Sequence, residues 1–113
     1  MKEVAWVGNS QDEAQKLPKS IRKALGFQIY LLQEGLDPDD FKSMPSVGKG
    51  VYEIRVRNDL GQNTGRCFYV AKFEGKIFIL HAFEKKQQTT PRHNIEMGKK
   101  RYSELMNYLR SKS

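Results

Sequence analysis

The stretch from Val51 to Lys86 constrains this chain most, because it reads as three strands in succession: VYEIRVR, GRCFYVAKF and KIFILHAFEKK. In the first, Tyr52, Ile54 and Val56 alternate with Glu53, Arg55 and Arg57. A period of two sends the apolar set to one face of a sheet and the charged set to the other. In the second, Arg66 and Lys72 share a parity with Phe68 and Val70. The third opens on a nearly continuous apolar run, Ile77 to Leu80, which suits a strand covered on both faces. Glu74-Gly75 is a two-residue link whose glycine supplies the positive φ of a tight hairpin. The loop NDLGQNT before Gly65 is longer and polar, within hairpin range. The expectation is an antiparallel meander with cations on one face and Lys85-Lys86 at its exit.

The flanking segments complete an α+β domain. Lys2 to Val7 reads as a fourth strand. Ser10-Gln11-Asp12-Glu13 has the form of a capping box, with Ser10 as the cap and Glu13 reaching back. A second helix is expected from about Pro18 to Glu34, because Ile21, Ala24, Leu25, Ile29 and Leu32 share one face. Gly35 stands where a helix C′ glycine belongs. Leu36 to Gly50 has turn chemistry throughout, anchored by Phe41 and Met44, and reads as a connection. After the polar segment Gln87 to Thr90, Thr90-Pro91 reads as the cap and first residue of a last helix. Ile95, Tyr102, Leu105, Met106 and Leu109 mark its buried stripe. Gly98 inside it costs about 1 kcal/mol against alanine, which implies a loosely held helix. The order is β-α-α-β-β-β-α, with a four-stranded, mainly antiparallel sheet packed by helices. At 113 residues, one domain spanning 1–113 is expected.

Charge is distributed unevenly. Residues 1–48 hold six Lys/Arg and seven Asp/Glu, whereas residues 49–113 hold fourteen and six, so the net +7 sits on the meander and beyond. A polyanion such as nucleic acid is the partner this implies; a solvated basic surface is the plain alternative. The single cysteine, Cys67, excludes an internal disulfide and fits a reducing cytosol. No apolar run approaches the ~18 residues of a membrane helix, and MKEVAWVGNS lacks the apolar core of a signal peptide. Metal-ligand spacings, a P-loop and GxGxxG are missing, so no metal or cofactor is expected. Asp37, Asp39 and Asp40 read as a solvated acidic turn.

What remains is a set of cations and one histidine on a sheet. Such groups can cut RNA without metal. The 2′-OH attacks the adjacent phosphorus, one group takes its proton, another protonates the leaving 5′-oxygen, and cations steady the phosphoryl oxygens. A phosphate-binding surface without catalysis uses the same residue types.

The element order, with VYEIRVR, GRCFYVAKF, GLDPDDFKSMP and the run at His81, Phe83, Lys85 and Lys86, resembles the RelE/ParE superfamily of type II toxin–antitoxin toxins, and within it the phage-derived, HigB-like branch. The resemblance implies a RelE-like fold and a small cytoplasmic toxin. It implies an antitoxin partner, a helix-turn-helix protein encoded nearby, and metal-free cleavage of mRNA in the ribosomal A site. By position it makes Arg55, Arg66, Lys85 and Lys86 catalytic candidates, with His81 beside them; His81 reads equally as a hydrogen-bonded core histidine. Arg57, Lys72, Arg92 and Lys99 are the RNA-binding candidates, with Arg57 also readable as the wet face of a strand. Glu53 stands where RelE has a lysine, and no residue here is a clear match for RelE's late tyrosine. ParE-type relatives share the fold and inhibit DNA gyrase, so a gyrase inhibitor and a non-catalytic binding module stay open.

Overall fold

A computed structural model describes residues 1–86 and 89–112; Gln87 and Gln88, from the polar segment read after Lys86, lie outside them. The elements are β1 (Glu3–Trp6), α1 (Ser10–Gln15), α2 (Lys19–Gln33), β2 (Phe41–Ser43), β3 (Tyr52–Val56), β4 (Gly65–Val70), β5 (Lys76–Glu84) and α3 (Arg92–Ser111). They build one sheet in the order β1-β5-β4-β3-β2. The meander β3-β4-β5 is antiparallel as expected, but the sheet has five strands and is mixed. β1 runs parallel to β5, from Glu3 opposite Lys76 to Trp6 opposite Ile79. The fifth strand, β2, lies inside the segment read as a connection. It pairs antiparallel with β3 along only three residues, too few for an alternation to stand out among turn formers.

Each face of the sheet has its own core. On one, Leu17, Ile21, Leu25, Ile29 and Leu32 of the α1–α2 hairpin pack on Ile54, Val56, Cys67, Tyr69, Ile77, Ile79 and Ala82. On the other, Leu105 with the α3 residues Ile95, Tyr102, Met106 and Leu109 covers Val51, Phe68, Val70, Phe78, Leu80 and Phe83. Coverage on both sides is what the apolar run of β5 requires. Gly98 serves this second interface. A Cβ there would come within 2.8 Å of the Phe68 ring and 3.0 Å of Val47, so its lack of a side chain is a packing device and not a weakness of α3.

The ends of the elements correct three readings. Ser10 is not a cap; it is the first residue of α1, and its hydroxyl donates to the Ile79 carbonyl at 3.0 Å. Glu13 turns to His81 and Arg101, so no capping box forms. Pro91, not Thr90, occupies the N-cap of α3, and the Thr90 hydroxyl faces Glu53 at 3.4 Å. The stop of α2 is as expected: Gly35 adopts φ 81°, its N–H reaches Leu32 O, and Leu36 N–H reaches Leu31 O, the Schellman arrangement. The β4–β5 hairpin turns on Glu74 and Gly75, both at positive φ, which matches the twist of the strands it joins.

Register places the charges. Val70 pairs with Phe78 and Tyr69 with Ile79, but Phe68 pairs with His81, so a bulge at Leu80 adds one residue to β5. Beyond it Arg66 faces Phe83 and Gly65 faces Glu84.

Candidate nucleic-acid interface

Residues directly opposite one another in antiparallel strands share a face. One row across the sheet is Lys42, Glu53, Phe68 and His81, and the next is Arg55, Arg66 and Phe83. Both lie on the α3 side. The backbone N–H of Lys85 donates to Thr64 O, which extends β5 past Arg66 and keeps Lys85 in the parity of Phe83.

Two carboxylates temper these cations. Arg55 donates from Nε to Asp40 Oδ1 at 3.0 Å, with Nη2 at 2.9 Å from the same oxygen. Arg66 is 5% exposed and Glu53 1%, and the Arg66 Nε lies 3.7 Å from Glu53 Oε1. Nη1 of Arg66 donates to Asn63 O, Asn63 Oδ1 and Gly65 O at 2.9–3.1 Å. Two buried polar atoms here have no hydrogen-bond partner among the described residues, Arg66 Nε and Thr64 Oγ1.

The electrostatics follow from this crowding. Burial pulls the Arg66 guanidinium below its ordinary range; Glu53 and Asp40 oppose that and Arg55 adds to it. Lys85 is also held below its ordinary range, by partial burial first and then by Arg66, with Lys42 and Arg55 contributing against Glu53. A lysine destabilised as a cation releases its proton more readily. Four cations thus share one face with two carboxylates, with Lys42 exposed, Arg55 and Lys85 half-buried and Arg66 buried beneath them, a set that can offer charge-assisted hydrogen bonds to phosphate oxygens.

Of the expected catalytic residues, Arg55, Arg66 and Lys85 are brought together. Lys86 is not: it is exposed, has the opposite parity, and lies 3.9 Å from Glu84. His81 sits deeper. Its Nδ1 meets Glu13 Oε1 at 2.8 Å and its Nε2 meets Asn94 Oδ1 at 2.7 Å, so neither ring nitrogen is open to a substrate. Its ring stacks on Phe83, centroids 4.9 Å apart. Among the expected RNA-binding residues, Arg57 is exposed and donates to Gly61 O in its own hairpin loop. Arg92 is the exposed first residue of α3 and lines a shallow pocket with His93, Glu96, Met97 and Lys100. Lys99 is on the outside of α3, 3.7 Å from Glu96. Lys72 lies six residues beyond Arg66, about 20 Å along an extended chain, where it lines a 510 Å³ groove with Lys2, Tyr52 and Tyr69.

Three residues with a part in this region escape the sequence. Lys42 belongs to the row only because β2 exists. Glu53 looks like half of a wet alternation, and Arg66 is what draws it inside. Arg101, 5% exposed, grips Glu13 with Nη2 at 3.0 Å and Leu80 O with Nη1 at 3.0 Å. Its place in the α3 stripe, four residues before Leu105, is the one signal that could have found it. Burial raises the Glu13 carboxyl, but hydrogen bonds and charge from His81 and Arg101 outweigh that and hold it below the usual range. Among the described residues, no three histidine, cysteine or carboxylate side chains gather as metal ligands would. No helix among them is long and apolar enough to cross a membrane.

Comparison with known proteins meets the resemblance drawn from the sequence. The crystal structure of the isolated E. coli RelE toxin superposes with a TM-score of 0.59 over 96% of this chain and 99% of that one, at 17% identity. That likeness concerns the fold. No curated protein sequence matches. The family model described as phage derived protein Gp49-like (DUF891) matches residues 12–103, which run from within α1 into α3 and include all the residues of the cation cluster. The chain therefore belongs to the phage-derived Gp49-like family and carries a RelE-like fold.

Proposed function

We propose that this protein is the toxin of a type II toxin–antitoxin system and acts as a ribosome-dependent mRNA endonuclease. The observation that carries the reading is the convergence of Arg55, Arg66, Lys85 and Lys42 on one sheet face, with a buried Arg66 Nε that faces Glu53 but has no hydrogen-bond partner among the described residues. Asp40 and Glu53 offset only part of the positive charge of these four cations, and what is left favours an added anion.

In this reading Arg66 and Arg55 bind the oxygens of the scissile phosphate and take up the charge that grows as the 2′-oxygen bonds to phosphorus. The 2′-OH gives up its proton to solvent water, and Lys85, with its weakened hold on its own proton, protonates the departing 5′-oxygen. The P–O5′ bond breaks, leaving a 2′,3′-cyclic phosphate on one fragment and a 5′-hydroxyl on the other. Lys42 and Arg92 hold the flanking phosphates, and Arg57, Lys72, Lys86 and Lys99 add long-range attraction to RNA. His81 contributes by holding Phe83 and not by touching substrate. The cognate antitoxin and the translating ribosome are the protein partners, in the cytoplasm.

Purified protein added to ribosomes programmed with a defined mRNA tests this. The expected result is one cut at the A-site codon with a 2′,3′-cyclic phosphate end, abolished by a 2′-deoxy nucleotide at the cut. An intact mRNA, or a cut that survives the 2′-deoxy substitution, overturns it.

A further inference from the structure

A one-residue slip in a strand sends every side chain beyond it to the other face. Near the hairpin, Val70 faces Phe78 and Tyr69 faces Ile79. Continued unchanged, that register would set Ala82 opposite Arg66, turn Phe83 and Lys85 toward α1 and α2, and bring Glu84 into the cation cluster. The bulge at Leu80 prevents this by putting Phe83 opposite Arg66. The composition of the cluster therefore depends on one inserted residue.

The bulge occurs where β5 has lost its parallel neighbour. β1 ends at Trp6 opposite Ile79, and from there α1 lies alongside β5 in place of a strand. The backbone of Leu80 to Ala82 must find partners elsewhere, since a buried peptide group left unpaired costs about as much as a lost hydrogen bond. Two side chains supply them. Arg101 donates from Nη1 to Leu80 O at 3.0 Å, and Glu13 Oε1 lies 3.5 Å from Ala82 N. The pair is closed on itself by Arg101 Nη2 to Glu13 Oε2 at 3.0 Å and tied to the strand by His81 Nδ1 at 2.8 Å. Gly8, at φ 56°, makes room: a Cβ there would stand 2.7 Å from Arg101 Nε.

We propose that Glu13 and Arg101 are positioning residues that together clamp the β5 bulge and thereby set the register that turns Phe83 and Lys85 onto the face of Arg55 and Arg66. The clamp rests on the proposed function for its consequence in catalysis, but the register itself is a property of the fold. It spans three elements distant in sequence: α1, the middle of β5 and the middle of α3. Neither side chain touches the cation cluster; each acts through the backbone of β5.

Nuclear magnetic resonance separates the clamp from the chemistry. In the wild-type protein, cross-strand contacts should join Arg66 to Phe83. In Arg101→Met and in Glu13→Gln they should shift to Ala82, while circular dichroism shows the protein still folded. On ribosome-bound mRNA both variants should lose about a hundredfold in kcat with KM within about threefold, the signature of misplaced catalytic groups. Arg101→Lys, which keeps a positive charge for Glu13, should keep the Phe83 register and recover to within about tenfold of wild type. If Arg101→Met does not fold, the isosteric Glu13→Gln carries the test. Retention of the Arg66–Phe83 contacts in the folded variants would overturn the clamp, as would a loss confined to KM. A wild-type protein that cuts no mRNA would defeat the proposed function and leave the register to decide the clamp.

Discussion

Arg66 Nε and Glu53 Oε1 stand 3.7 Å apart, and both residues are buried on the α3 side of the sheet. Each depends on the other for its countercharge there. From the sequence, a crowd of cations suggests that deleting Arg66 leaves stability unchanged or raises it by relieving repulsion. The buried carboxylate reverses that expectation. Arg66→Ala leaves Glu53 with, among the described residues, a single hydrogen bond from the Thr90 hydroxyl at 3.4 Å, and orphaning a buried charge costs about 3 kcal/mol or more. Urea denaturation should show this loss for Arg66→Ala, and most of it should return in Glu53→Gln/Arg66→Met. Both variants should lose cleavage by about 10²–10³, because the phosphate contact is gone in each.

Lys85 should report its surroundings through pH. Its folded-state pKa is lowered by burial and by Arg66, Lys42 and Arg55, so in the window below the ordinary lysine value the unfolded chain binds more protons. Stability from this group therefore rises with pH across that window. Lys85→Met removes the penalty and should melt higher than wild type at pH 7. The advantage should shrink as pH climbs through the depressed pKa toward 10.5, the ordinary lysine value. Paired thermal melts at the two pH values check it, since the difference between the proteins isolates one lysine.

Gly98 offers a test in which propensity and packing disagree in sign. Helix propensity alone makes Gly98→Ala stabilising by about 1 kcal/mol. The added methyl would sit 2.8 Å from Phe68, a fully buried ring with its own contacts to Phe83 and His81. Overpacking of this kind costs about 1–3 kcal/mol, so the net change should be destabilising. A chemical denaturation midpoint above wild type would show that the helix yields at no cost.

Much of this arrangement was legible because strands announce themselves by period. The β3 alternation put Arg55 on the right face, and counting back from a turn at Glu74-Gly75, with Phe73 beside Lys76, sets Arg66 roughly opposite Phe83, as found. The second result is correct by a route the sequence hides. An offset near the turn is undone by the bulge at Leu80, and nothing in FILHAF marks an extra residue. β2 stayed hidden because three edge residues pair on one side only, and Lys42 was lost with it. Glu53 and Arg101 were misjudged or missed because a charged residue looks wet until its partner is known, and their partners lie 13 and 88 residues away in the chain. Lys86 was carried along with Lys85 by adjacency, yet neighbours in an extended chain point to opposite sides.

Lys42 and Lys86 should therefore separate in a salt titration. Each phosphate contact contributes roughly 0.7–0.9 to the slope of log affinity against log salt. Lys42→Ala should flatten the slope for RNA-bearing ribosomes by about one such contact, and Lys86→Ala should change it less. Filter binding between low and physiological salt checks the order. Equal effects would mean that both strand faces meet RNA.

In the proposed activity, the cluster around Arg66 cuts translated mRNA. Brief induction of wild type and Arg66→Ala, with transcriptome-wide mapping of RNA 5′ ends beside a DNA-damage reporter, tests it most directly. The expected result is new 5′-hydroxyl ends in phase with the reading frame in wild type, none in Arg66→Ala, and a silent damage reporter in both. Growth arrest with a lit damage reporter and no new ends would contradict it and point to gyrase.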